Sequence, residues 1–140
     1  MLKSERNFLH ATNAITGISG IIYFGMLYFI EGSDEFSILN HPWQDAVRDW
    51  HIVLAPLLIF AVALILKGHI LKKIRNDYRG RGRISGLLLC GLFPVMAFSA
   101  YLLQVSANEI TYKAFLYLHN TSSFLWVAIY LIHQARMMRQ

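Results

Sequence analysis

The sequence predicts an all-α fold: a transmembrane four-helix bundle with both termini in the cytoplasm. Three observations carry this. Four long apolar blocks fill most of the 140 residues. Only 15% of the residues are charged and 56% are hydrophobic, whereas ordinary soluble domains carry about a quarter charged residues. The charge that remains is sorted by loop instead of being spread along the chain.

The blocks are Phe8–Ile30, Val47–Leu66, Leu87–Val105 and Ala114–His133. Each is close to the roughly 20 apolar residues that cross a bilayer as a helix. Their connections are short, so the expectation is one integral-membrane domain over residues 1–140. No repeat or low-complexity tract stands out. The apolar run from Ala14 to Ile30 is too long for the core of a cleavable signal and reads as an anchor that stays.

The first span opens with Ser4-Glu5-Arg6, where Ser4 can cap a helix, and carries His10 near its start. Gly17, Gly20 and Gly25 keep one side of it thin, for close helix packing or for a flat porphyrin. The loop that follows, to Asp49, holds Glu31, Asp34, Glu35, Asp45 and Asp49 against Arg48. Its Trp43 and Trp50 belong at a membrane interface. Acidic side chains there either steer a basic partner or are simply solvated.

The second span starts at Arg48-Asp49-Trp50-His51 and ends at Lys67-Gly68-His69, with Pro56 just after His51. Eighteen residues are five whole turns, so His51 and His69 share a face, ~27 Å apart. The loop from Lys67 to Arg83 holds seven cations (Lys67, Lys72, Lys73, Arg75, Arg79, Arg81, Arg83) against Asp77. Positive loops stay inside, which puts this loop and both termini in the cytoplasm and the acidic loop outside. No aromatic or structured element accompanies these cations, so they read as a topology signal and not as a nucleic-acid site.

The third span has no histidine. Gly86, Gly91, Pro94 and Ser99 make it adaptable, and it reads as a bundle wall, with Tyr101 and Gln104 near the outer surface as candidates to line a small-molecule pocket. Cys90 is the only cysteine. It makes no disulfide within the chain, and the lack of C-x-x-C-H excludes covalent c-type haem.

The fourth span carries His119 and His133, fourteen residues and ~21 Å apart on one face. Histidines in membrane spans are rare and tend to be functional. With antiparallel spans, His51 and His119 come at the outer end, and His10, His69 and His133 at the inner end. His41 lies in the outer loop and reads as solvent-facing. Haem iron accepts two imidazoles on opposite faces, whereas zinc and copper ask for more ligands at each depth. A proton relay would use Asp or Glu inside the membrane, and the span interiors offer none. The outer pair is His51 with His119. The inner ligand His133 pairs with His10 or His69; His69 overshoots by ~6 Å, one turn, so His10 is preferred. Arg48 can neutralise propionates outside, and Lys67, Lys72 and Arg136 inside. Asn13, Asn120 and Thr121 are polar groups placed to bond the ligands. The competing readings are a cofactor-free membrane scaffold and a histidine-based metal carrier.

Arg6 before His10, Thr16-Gly17 after it, and the stretch SAYLLQVSANEITYKAFLYLHNTSSFLWVAIYLIH carry a family likeness. With the fourteen-residue histidine spacing, they resemble the four-helix di-haem cytochrome b subunits that anchor respiratory dehydrogenases. Examples are the membrane subunit of formate dehydrogenase and the b-type cytochrome of uptake hydrogenases. The gap after His10 is shorter than usual there, Ala100 stands for a commoner glycine, and the loops are minimal. The resemblance implies two b-type haems, held by His119 with His51 and by His133 with His10. It implies electron exchange with membrane quinone near the inner haem, and a periplasmic redox protein or dehydrogenase subunit as partner. It also implies a multi-pass place in the bacterial inner membrane.

Overall fold

The computed structural model describes residues 1–32, 39–76 and 82–138. Ser33, Asp34 and Glu35 of the acidic loop, Asp77, Arg79 and Arg81 of the basic loop, and Arg139 lie outside the described residues. Among the described residues every regular element is helical: α1 Lys3–Tyr28, α2 Gln44–Ile65, a π-helical turn Leu66–Leu71, α3 Lys72–Arg75, α4 Arg83–Val105 and α5 Glu109–Met138. They form two compact units, residues 1–69 and 70–140. The first is built on the hairpin of α1 with α2, the second on that of α4 with α5.

Three helices are long and apolar enough to cross a membrane: Gln44–Arg75, Arg83–Val105 and Glu109–Arg136. The chain thus has the character of a multi-pass membrane protein in contact with lipid. The first expected span, α1, is 26 residues long but is not among the three. Its polarity is the reason, and that polarity lies on one side. Thr12, Asn13 and Thr16 are buried, while Ile15, Ile18, Ile21 and Ile22 are exposed. Phe60, Phe98 and Leu131 also face outward, while Ser85, Ser99 and Ser122 are buried. A water-soluble hairpin does the reverse. Apolar side chains outside and small polar ones between helices are what lipid selects.

Named side chains set the helix ends. Glu5 accepts the Leu2 N–H at 2.8 Å and holds the start of α1. At its far end the Asn40 amide donates to the Met26 and Leu27 carbonyls at 3.3 and 3.2 Å. The Asn40 N–H in turn donates to Gln44 Oε1 at 3.1 Å. Asn40 thereby ties the last turn of α1 to the first of α2. His41 is half-buried and not simply solvent-facing: its Nδ1 accepts the Trp43 N–H at 3.1 Å and its carbonyl the Gln44 N–H at 3.0 Å. Asn108 caps α5, its Oδ1 accepting from the N–H groups of Ile110 and Thr111 at 2.9 and 3.3 Å. That cap starts the helix five residues before the expected Ala114. Pro56 and Pro94 both lie inside helices, where each removes one ladder donor.

Aromatic rings pair within both hairpins. Phe8 meets Phe60 edge-on at 6.1 Å. In the second unit Trp126 packs on Phe93 at 5.3 Å and stacks with Tyr130 at 6.2 Å. Trp126 is seven residues from both His119 and His133, which puts it midway between them on nearly the same line of α5.

Replacing Asn40 by alanine leaves two terminal carbonyls without their side-chain donor. The expected loss is about 1 kcal/mol, read as a lower thermal midpoint of detergent-solubilised protein; no change in midpoint would refute this role.

Candidate functional site

Three histidines are seated against the helix that precedes their own, and each is held by the same ring nitrogen. His51 on α2 reaches α1. Its Nδ1 lies 3.2 Å from the Thr16 carbonyl and 3.0 Å from Ser19 Oγ. Ser19 donates its own proton to the Thr16 carbonyl at 2.9 Å. The carbonyl can only accept, and the serine oxygen is left to accept. Both therefore require a proton on Nδ1 of His51.

His133 on α5 repeats this on α4. Its Nδ1 is 2.9 Å from Ser85 Oγ, and Ser85 donates to the Gly82 carbonyl at 3.2 Å. His119, also on α5, places Nδ1 3.0 Å from the Met96 carbonyl, which takes the Ser99 hydroxyl at 3.0 Å as well. Again Nδ1 carries the proton. In His51 and His119, where Nδ1 faces a carbonyl, Nε2 is then the lone-pair nitrogen of the neutral ring; in His133 the serine that faces Nδ1 already donates to Gly82, which favours the same form.

Both histidines of α5 meet oxygens of α4, His119 at Met96 and His133 at Ser85, so both lie on the α4-facing side of α5, at heights ~21 Å apart. The expected common face holds. The third span, expected as a plain wall, supplies the partners of both ligand candidates.

Backbone proximity matters most at Gly20. A Cβ there would stand 2.8 Å from His51 Cε1, closer than real contacts allow, so the ring's Cε1 edge lies against the helix backbone. At Gly86 a Cβ would meet His133 Cε1 at 3.6 Å, an ordinary contact. Beside the His51 seat, the Thr16 hydroxyl is a buried side-chain polar atom with no hydrogen-bond partner. It leaves a donor open at that height.

His10 and His69 are both half-buried. His10 lies six to ten residues from the seat of His51 (16 − 10 and 20 − 10), or ~9–15 Å along α1. His69 sits inside the π turn Leu66–Leu71, whose i→i+5 bonding places more residues in each turn. Its ~27 Å from His51, reckoned for a pure α-helix, is shortened accordingly, and its face is turned from the one expected.

Arg48 is engaged by two carboxylates, Asp45 at 2.8 Å and Asp49 at 3.0 Å, in an exposed cluster. Gln104 is exposed and bonds back to the Ala100 carbonyl of its own helix at 3.3 Å. The partners of the ligand candidates are Thr16, Ser19, Gly82, Ser85 and Met96, which sequence reasoning did not single out for that role. The signal was present as serine three residues after each seat carbonyl.

A neutral imidazole held at Nδ1 is the form that ligates a metal through Nε2. Haem iron takes two such rings and asks for no third protein ligand, so this donor set fits the group. Comparison with family models, with curated proteins and with solved structures gives no match.

Gly20→Ala should push the His51 ring off its seat, while Gly86→Ala should leave His133 in place. Nitrogen-15 histidine spectra would show a shift in one ring for the first variant and none for the second. Equal shifts in both variants would contradict the difference in clearance.

Proposed function

We propose that the protein is a membrane electron-transfer subunit carrying two b-type haems. It moves electrons between the quinone pool and a partner redox protein. The observation that carries this reading is the shared state of His51, His119 and His133. Each meets an oxygen of the preceding helix through Nδ1, and two of them are ~21 Å apart on one helix. In this reading His119 and His51 ligate one haem, and His133 shares the other with a second histidine. With both axial positions filled by protein, such a haem exchanges electrons and offers no open site for oxygen chemistry.

The second partner of His133 in this reading is His10, with His69 the alternative. Both belong in the candidate set. Arg48 is the cation nearest the outer end of the second span, but its two carboxylate partners already offset its charge. Lys67, Lys72 and Arg136 remain candidates for the propionates at the His133 end. We place that end, with its cations, in the cytoplasm together with both termini, following the rule for basic loops. The acidic end then faces the periplasm and a redox protein or dehydrogenase subunit there. The membrane is the bacterial inner membrane in this reading.

A dithionite-reduced spectrum of the purified protein should show a b-type band, with two haems per chain by pyridine haemochrome. His119→Ala and His133→Ala should each lose one haem, and different ones by midpoint potential. Protein without colour in membranes and in detergent would leave a cofactor-free scaffold, and copper or zinc in place of iron a metal carrier. For the second ligand of His133, haem content should fall by one in either His10→Ala or His69→Ala; loss in neither would remove both.

A further inference from the structure

The three histidine seats are one device used three times. Each consists of a backbone carbonyl, a serine three residues later, and a small residue after that serine. The sets are Thr16-Ser19-Gly20, Gly82-Ser85-Gly86 and Met96-Ser99-Ala100. In every case the serine donates to the carbonyl one turn back. In two of them that carbonyl lies within hydrogen-bond distance of an imidazole Nδ1 of the next helix; in the third the serine itself meets the ring nitrogen. Two of the seats even share a tripeptide, Ile18-Ser19-Gly20 and Ile84-Ser85-Gly86. A short repeat is thus present after all, one copy on the first helix of each hairpin.

We infer that this carbonyl–serine–small unit is a positioning device that fixes the proton on Nδ1 before any ligand arrives. The inference rests on the haem reading for its purpose, but not for its geometry. Each part has a physical task. The carbonyl can only accept, so it selects one tautomer. The serine spends its proton on that carbonyl, which orients its lone pairs outward; in two seats the ring N–H meets them. At Gly20 the missing Cβ lets the ring approach the backbone, while at Gly86 a Cβ would be tolerated. In a dry helix interface an unpaired N–H is costly, so the alternative tautomer, with nothing to offer the carbonyl, is disfavoured.

The consequence for a bound iron is electronic. An Nδ1–H bonded to an oxygen makes the imidazole a stronger donor, which favours the oxidised metal. Ser85 and Ser19 therefore act through His133 and His51 as positioning residues. Ser99 acts one step further out, by holding the Met96 carbonyl.

Two measurements test this. In haem-free protein labelled with nitrogen-15 histidine, His51, His119 and His133 should show protonated Nδ1 and unprotonated Nε2. Finding Nε2–H in these rings would overturn the proposal even if the protein binds haem. In haem-loaded protein, Ser85→Ala should raise one midpoint potential and leave the other unchanged. Ser85→Thr, which keeps the hydroxyl, should restore it. A Ser85→Ala protein with both potentials unaltered would also overturn the proposal. If the protein takes up no haem while the three rings show the Nδ1–H form, the haem reading falls and the positioning device stands.

Discussion

The bond from an imidazole Nδ1–H to an oxygen of the neighbouring helix is the contact on which this structure turns. It fixes which nitrogen of each ring is protonated, at what height the ring sits and which way it faces. It also fixes helix register: on α4 and α5 two such bonds, His133 to Ser85 and His119 to Met96, leave no freedom to slide by a turn. In the first unit a single bonded ring does this for α1 and α2, helped by Asn40 at the hairpin end.

Lipid explains why such bonds are built from serine and backbone. With no water between helices, every polar group must find a partner within the protein. A hydroxyl that satisfies itself on the preceding turn can be buried at low cost. That is how Ser85, Ser99 and Ser122 are all found inside. The same economy explains α1. Its inward face is polar because it holds a ring, and its outward face is isoleucine because it meets lipid. Mean hydropathy averages the two faces and so understates the fitness of this helix for a membrane.

Much of this was legible in the sequence. The apolar blocks gave the helices, and the interval from His119 to His133 gave a common face, because helical periodicity is strict over long helices. Three things were not legible. The glycines of the first span read equally as packing or as room for a ligand, and only the approach of His51 to Gly20 shows what the missing Cβ does. The partners of the histidines lie far away in sequence, and a serine inside a membrane helix has many ordinary uses. The π turn at 66–71 has no local signature, since Gly68 and the flanking lysines also suit the end of an α-helix. It changes both the height and the face of His69, two quantities that periodicity alone had assigned.

The Leu66–Leu71 turn also bears on how the chain accommodates changes in length. A π turn holds one residue more than the α-helical ladder needs. Removing one residue there can be absorbed by the ladder closing up, whereas the same deletion beside His51 would rotate a seated ring away from Thr16 and Ser19. The stretch before the basic segment is thus a slack point in an otherwise tightly indexed chain, where loop lengths can drift without disturbing the histidine seats.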